Sequence, residues 1–173
     1  AKWLFTERDD RSECGNEELL SVSHLTGVTS RAEKNVNMFM AVSLEGYKRC
    51  EAGDLVINTL WAWMGAMGVT RQPGIVSPAY NVYRPVPELD PEYLDLLVRT
   101  PRFAEEITRY SKGVWSSRMR LYPEGLYEAW LSVPPRKSNK PSLHISNKKR
   151  RRLMRSYWQQ GERLHSCKSD ALR

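Results

Sequence analysis

Three stretches of the chain concentrate side chains able to grip a phosphodiester backbone and read base edges. The first is Thr29-Ser30-Arg31-Ala32-Glu33-Lys34-Asn35. The second is Asn58-Thr59-Leu60-Trp61-Ala62-Trp63, grouped with Arg71-Gln72. The third is Ser111-Lys112-Gly113-Val114-Trp115-Ser116-Ser117-Arg118-Met119-Arg120. Arg, Lys, Ser and Asn contact phosphate oxygens, and Arg, Asn and Gln can also bond a base edge through two contacts at once. Taken singly, each stretch is more often an ordinary solvated loop. Trp61, Trp63 and Trp115 are more often core or rim residues than stacking platforms.

Other chemistry finds less support. His24, His144 and His165 have no metal-ligand spacing, and Cys14, Cys50 and Cys167 form no CxxC pair. Reduced thiols are therefore expected, rather than a zinc site or a disulfide framework. No nucleophile elbow, P-loop or HExxH motif occurs, and Gly65-Ala66-Met67-Gly68 lacks the dinucleotide-binding spacing. The carboxylates of Glu92-Tyr93-Leu94-Asp95 and Ala104-Glu105-Glu106-Ile107 are expected on solvated helix faces rather than as an acid/base pair. A binding module without cofactor or metal is favoured over an enzyme.

The loops need elements to hold them. Leu19 to Val22 reads as a short apolar strand, followed by a Ser/Thr/Arg-rich connection. Turns are expected around Gly46 and at Ala52–Asp54, and Leu55–Ile57 is a continuous apolar strand. Strands Met67–Thr70 and Ala79–Arg84 follow, with a turn at Gln72–Gly74. Asp90 can cap a helix that opens with Pro91, with Tyr93, Leu94, Leu97 and Val98 on one face. Thr100-Pro101 restarts a second helix, with Phe103, Ile107 and Tyr110 on one face and Gly113 as its stop. A turn at Pro123–Gly125 and a final strand Ala129–Val133 complete the body. Strands with two consecutive helices indicate an α/β or α+β domain.

The formal charge of +7 over 173 residues invites a nucleic-acid reading. It divides unevenly. Residues 136–173 hold 12 Lys and Arg against 2 Asp and Glu, which leaves 15 basic and 18 acidic side chains in residues 1–135. The body is slightly acidic, so its overall charge gives no support for DNA binding. No apolar run approaches membrane-spanning length and the N-terminus is not a signal peptide, so a cytoplasmic protein without membrane contact is expected.

From Gly53 to Pro135 the order of motifs resembles the target-recognition domain of a type I restriction-modification specificity (S) subunit. Gly53-Asp54-Leu55-Val56-Ile57 matches a Gly-Asp turn that starts a strand, and Gly65 to Val69 a strand pair of small residues. Ser77 to Pro85 matches S-x-x-Y-x-V-x-R-P, and Asp90 to Leu94 matches D-P-x-Y-L. Ser111–Arg118, Leu121–Leu126 and Leu131–Pro135 match a Ser/Gly-rich loop, a Leu-rich hook and a strand ending in Pro-Pro. The resemblance implies a small α/β domain with a twisted, partly closed mixed sheet flanked by the two helices. Gly65 and Gly68 would allow close backbone approach within it. It also implies recognition of one half of a split double-stranded DNA target. A modification (methyltransferase) subunit would be the direct partner and a restriction subunit an indirect one, and those chains would do the methylation and cleavage. The DNA-contacting candidates are Ser30, Arg31, Lys34, Asn35, Asn58, Thr59, Trp63, Arg71, Ser77, Tyr80, Lys112, Ser116, Arg118 and Arg120. The alternatives are an S-subunit remnant that serves only as a protein-interaction module, and an enzyme using a cleft beside Arg118 and Tyr80.

After Pro135 the chain departs from the family, which continues into a long spacer helix that docks the modification subunit. The bases encoding Lys137 through Ser146 can also spell Glu-Glu-Gln-Gln-Ala-Ile-Val-Ala-Tyr-Ile in the alternative frame. Leu153 through Tyr157 permits Ile-Asp-Ala-Leu-Ile, and Ser166 through Arg173 permits Leu-Leu-Gln-Lys-Arg-Arg-Ser-Ala. These strings resemble the family's spacer helix, in order. The expectation is a domain over residues 1–135 and an out-of-frame basic tail over 136–173 that arose by a frameshift after Pro135. Asn147 could cap a helix through about Gln160 in that tail, giving it a surface for self-association. A one-base change near codon 136 should restore a long open frame in the gene.

Overall fold

A computed structural model describes residues 1–33, 43–115 and 118–133. Among the described residues, eight strands precede three helices. The strands are β1 (Phe5–Arg8), β2 (Leu20–Ser23), β3 (Gly27–Ser30), β4 (Lys48–Cys50), β5 (Leu55–Asn58), β6 (Met67–Val69), β7 (Gly74–Val76) and β8 (Tyr80–Pro85). The helices are α1 (Pro91–Val98), α2 (Pro101–Tyr110) and α3 (Pro123–Glu128), and a single 3-10 turn, Ala62–Met64, joins β5 to β6.

The continuous apolar run of β5 explains the layering. All four of its residues are buried, which a strand achieves only when both faces of its sheet are covered. Leu55 and Ile57 join Met67, Val69 and Tyr83 in a core closed by Leu94, Val98, Phe103, Ile107 and Leu126 of the three helices. Val56 points the other way and packs with Val82 against Leu20, Val22, Cys50 and Val76. Alternation along one short strand thus places helices on one face and two small strand pairs on the other.

The central sheet has the order β1-β8-β5-β6 and is antiparallel throughout. β2 pairs with β3, and β4 with β7, as separate antiparallel ladders. The α/β character holds, but the expectation of one partly closed mixed sheet does not. Among the described residues three open sheets replace it, and parallel pairing is confined to the isolated Leu19–Ile75 bridge. Covering both faces of the central sheet with separate layers removes the need to curl it closed.

Both long helices form where their local signals place them. Asp90 accepts from the backbone N–H groups of Glu92 and Tyr93, both at 2.9 Å. Thr100 Oγ1 accepts from the Phe103 N–H at 3.3 Å, and Pro occupies the first turn of each helix. Gly68 does provide a close approach: a Cβ there would lie 3.3 Å from Gly27 Cα and 3.0 Å from Asp95 Oδ1. Gly65 serves differently, ending the 3-10 turn at φ 78° in the left-handed region.

Three local expectations are corrected. The turn at Pro123 winds on into α3, because Leu126 fills the core. Residues 129–133 form no strand. Their backbone is occupied elsewhere: Ala129 O accepts the N-terminal amine at 2.8 Å, and the Trp130 N–H donates to Glu106 Oε1 at 3.1 Å. Asp95 is no solvated carboxylate but is only 7% exposed. Its Oδ1 accepts the Val69 N–H at 3.0 Å, and Arg99 approaches its Oδ2 at 3.4 Å. The carboxylate thereby satisfies a donor on edge strand β6, which has no further strand beside it among the described residues.

Candidate nucleic-acid interface

Strand direction decides which candidate residues meet. β5 ends at Asn58, whose register partner on β8 is Tyr80. The segment before β8, Ser77–Ala79, is drawn to the same end, where Thr59 Oγ1 donates to the Ala79 carbonyl at 2.8 Å. The Ser77 hydroxyl accepts from the Ala79 N–H at 3.4 Å within this exposed segment. The third basic loop is pinned there too: the Leu121 N–H donates to Thr59 O at 3.0 Å. Lys112 and Arg120 face each other across that loop's base through two 2.9 Å backbone bonds. The Arg118 N–H donates to Trp115 O at 2.8 Å, and the three cations Lys112, Arg118 and Arg120 all lie exposed.

The β2–β3 hairpin completes this end. Between it and the Asn58–Tyr80 pair lies a cleft of about 360 Å³ lined by Ser21, Val22, Ser23, His24, Arg31, Asn58, Trp61, Met64, Ala66 and Tyr80. Burial pushes the Tyr80 phenol above its ordinary value, while the nearby Arg31 guanidinium pulls it partly back. Asn58 is buried and its Oδ1 accepts the Leu60 N–H at 3.2 Å. Trp63 donates its indole N–H to Leu60 O at 3.1 Å and stacks on Trp61, ring centroids 6.1 Å apart. That fixes Trp61 at the mouth of the cleft with about half of its surface (49%) exposed. Ser21 is 8% exposed, and its hydroxyl finds no partner among the described residues. Such a group costs on the order of 1–3 kcal/mol when left unsatisfied.

Of the sequence candidates, Arg31, Asn58 and Tyr80 converge directly on the cleft. Thr59, Trp63 and Ser77 lie near these residues in the chain, and the loop that carries Lys112, Arg118 and Arg120 is tied to Thr59 through Leu121. Ser30 ends β3 beside Arg31, is itself buried and accepts the Ala32 N–H at 3.3 Å. Lys34, Asn35, Ser116 and the expected tail helix lie outside the described residues. Arg71 lies apart from this cleft. β6 carries the chain away from Asn58 toward Asp54, so Arg71 lines a different cleft with Gly53, Thr70, Glu92 and Asp95. A strand of four residues separates the two ends by roughly 13 Å. Ser21 and Ser23 are not among the candidates, and Trp61, within the second stretch, reads there as a core or rim residue. Their signal was present in the alternation of Leu20-Ser21-Val22-Ser23 and in Trp61 beside Asn58.

The far end of the sheet is charged as well, but its charges are matched. Asp54 is fully buried and accepts from Arg84 Nε, from Arg8 at 3.2 Å and from the Glu51 N–H at 2.8 Å. Glu51 bridges Arg84 at 2.7 Å and Arg8 at 3.4 Å. On β4, outside the central sheet, Lys48 reaches Asn81 Oδ1 at 3.4 Å and meets Asp9 at 3.2 Å, and Arg49 meets Glu17 at 2.9 Å. Among the described residues, no ion pair engages Arg31, Lys112, Arg118 or Arg120 at the cleft end.

No protein-family model and no curated protein matches the chain. Among the described residues no helix is long and apolar enough to cross a membrane, and no group of three or more His, Cys, Asp or Glu could hold a metal ion. Cys50 is buried, with its thiol pushed up to about 12 by desolvation, which keeps it unreactive.

Proposed function

We propose that the protein is a DNA-recognition domain that reads one half of a bipartite duplex target, as the specificity subunit of a type I restriction-modification system. It carries no catalysis of its own in this reading. Methylation and cleavage fall to the modification and restriction subunits. The observation that carries the reading is a collection of cations at one end of the central sheet, beside an amide and aromatic side chains. Arg31, Lys112, Arg118 and Arg120 have no carboxylate partner there among the described residues, which suits them to phosphate oxygens or guanine edges. At the opposite end of the sheet Arg8 and Arg84 are neutralised by Asp54 and Glu51. The ordered motifs from Gly53 to Pro135 support the reading independently. Of the slightly acidic body's carboxylates, Asp9, Asp10, Glu17, Glu51 and Asp54 are engaged by Arg8, Lys48, Arg49 and Arg84.

The modification subunit would be engaged through a spacer helix that the sequence after Pro135 does not encode in frame. The decisive experiment is a selection on random duplex DNA with the full chain, and with a chain whose spacer frame is restored and bound to a modification subunit. Reproducible enrichment of a short motif supports the proposal. No enrichment in either form rejects it.

A further inference from the structure

The cleft has features that reading a stacked duplex does not require. Base edges in a groove are reached by elements that protrude, such as a helix, a ribbon or a loop tip. A recess of about 360 Å³ instead receives something inserted into it. Its lining offers apolar surface from Val22, Met64 and Ala66, with Trp61 held at the mouth by its stack on Trp63. The same lining offers polar groups. They include the Ser21 hydroxyl, which lacks a partner among the described residues, and the amide of Asn58, whose Oδ1 holds the Leu60 N–H. The Arg31 guanidinium supplies positive charge beside Tyr80.

A nucleotide removed from its stack has the matching chemistry: an apolar planar face, a polar edge and an anionic phosphate. We propose that the cleft receives a single nucleotide unstacked from the bound DNA, with its base against Trp61 and its phosphate at Arg31. This rests on the DNA-recognition reading above and adds to it a local opening of the duplex.

The test compares binding of the full chain to three probes by fluorescence anisotropy and tryptophan quenching. The probes are a paired duplex, the same duplex with a single mismatch stepped along it, and a free deoxynucleoside monophosphate. A mismatch at the inserted position removes the cost of unpairing, so it should bind ~10-fold more tightly than the paired duplex. Trp61→Ala should abolish that gain and weaken paired binding, and Trp61→Phe should retain the gain, while the slope of log affinity against log salt, set by phosphate contacts, is the same in both. Equal affinity for the paired duplex and for every mismatch overturns this inference and leaves the DNA-recognition reading standing. Failure of every DNA probe to bind overturns both. Quenching by the monophosphate in that case would identify a free nucleotide as the occupant instead.

Discussion

The two ends of the central sheet carry similar side chains in opposite electrostatic states. At the Asp54 end, Arg8 and Arg84 converge on a fully buried carboxylate, and Glu51 closes the network from outside. At the Asn58 end, Arg31 and the cations of the Lys112–Arg120 loop have no carboxylate beside them among the described residues. The first arrangement uses its charge to fix β1, β5 and β8 relative to one another. The second leaves charge free to attract an anion from solution. A count of basic residues cannot separate these roles, because it is the carboxylates nearby that decide them.

Removing the buried carboxylate gives the largest expected effect. Asp54→Ala leaves the Glu51 N–H without its acceptor and Arg8 and Arg84 with only the exposed Glu51 and Asp10, and should cost on the order of 2 kcal/mol in urea unfolding. Duplex affinity per folded molecule should stay within about twofold, since the substitution leaves the phosphate-binding cations in place. A large fall in affinity of the folded fraction would break the division between the two ends.

Neutralising the other end should do the reverse. Lys112→Ala, Arg118→Ala and Arg120→Ala combined should leave the unfolding midpoint nearly unchanged. They should reduce the slope of log affinity against log salt by about 0.9 for each phosphate that these cations neutralise. An unchanged slope would remove the third loop from the interface.

Acid sharpens the comparison further. A hydrogen bond from Arg84 holds the Glu51 carboxyl below its ordinary 4.5, and one from Arg11 holds Asp9 below 3.8. Carboxyls with lowered folded-state values add stability above the unfolded values and lose it as pH falls through the folded ones. Thermal unfolding followed downward from about pH 5 should therefore show a falling melting temperature, with a shallower fall in Glu51→Gln. The smallest effect is expected from Arg49→Ala, which removes an exposed pair with Glu17. Neither stability nor duplex affinity should change measurably, since exposed pairs contribute little.

The parts of the fold that sequence could reach share a physical property. Asp90-Pro91 and Thr100-Pro101 start helices through bonds spanning two or three residues, so their signals are local. β5 announced burial on both faces through an unbroken apolar run. β1, β3, β4 and β7 offered no such signal. Phe5-Thr6-Glu7-Arg8 has one buried residue in four, and Lys48-Arg49-Cys50 becomes a strand through pairing with Gly74–Val76, some 26 residues away in register. Short charged strands of this kind are made by their partners rather than by their own pattern.

The candidate site divides along the same line. Residue types and their grouping into polar loops were set by the sequence, as were the capped helices, the doubly buried strand and the confinement of excess positive charge to residues 136–173. Tertiary structure decided which loops share an end of the sheet. It brought Arg31 to Tyr80 across some 49 residues, carried Arg71 to the far end on β6, and turned Asp95 from a helix-surface acid into a buried partner for Val69. Caps and apolar runs act over a single turn or strand. The pairing of one basic side chain and the exposure of another depend on strand direction and register between distant segments, which no local stretch contains.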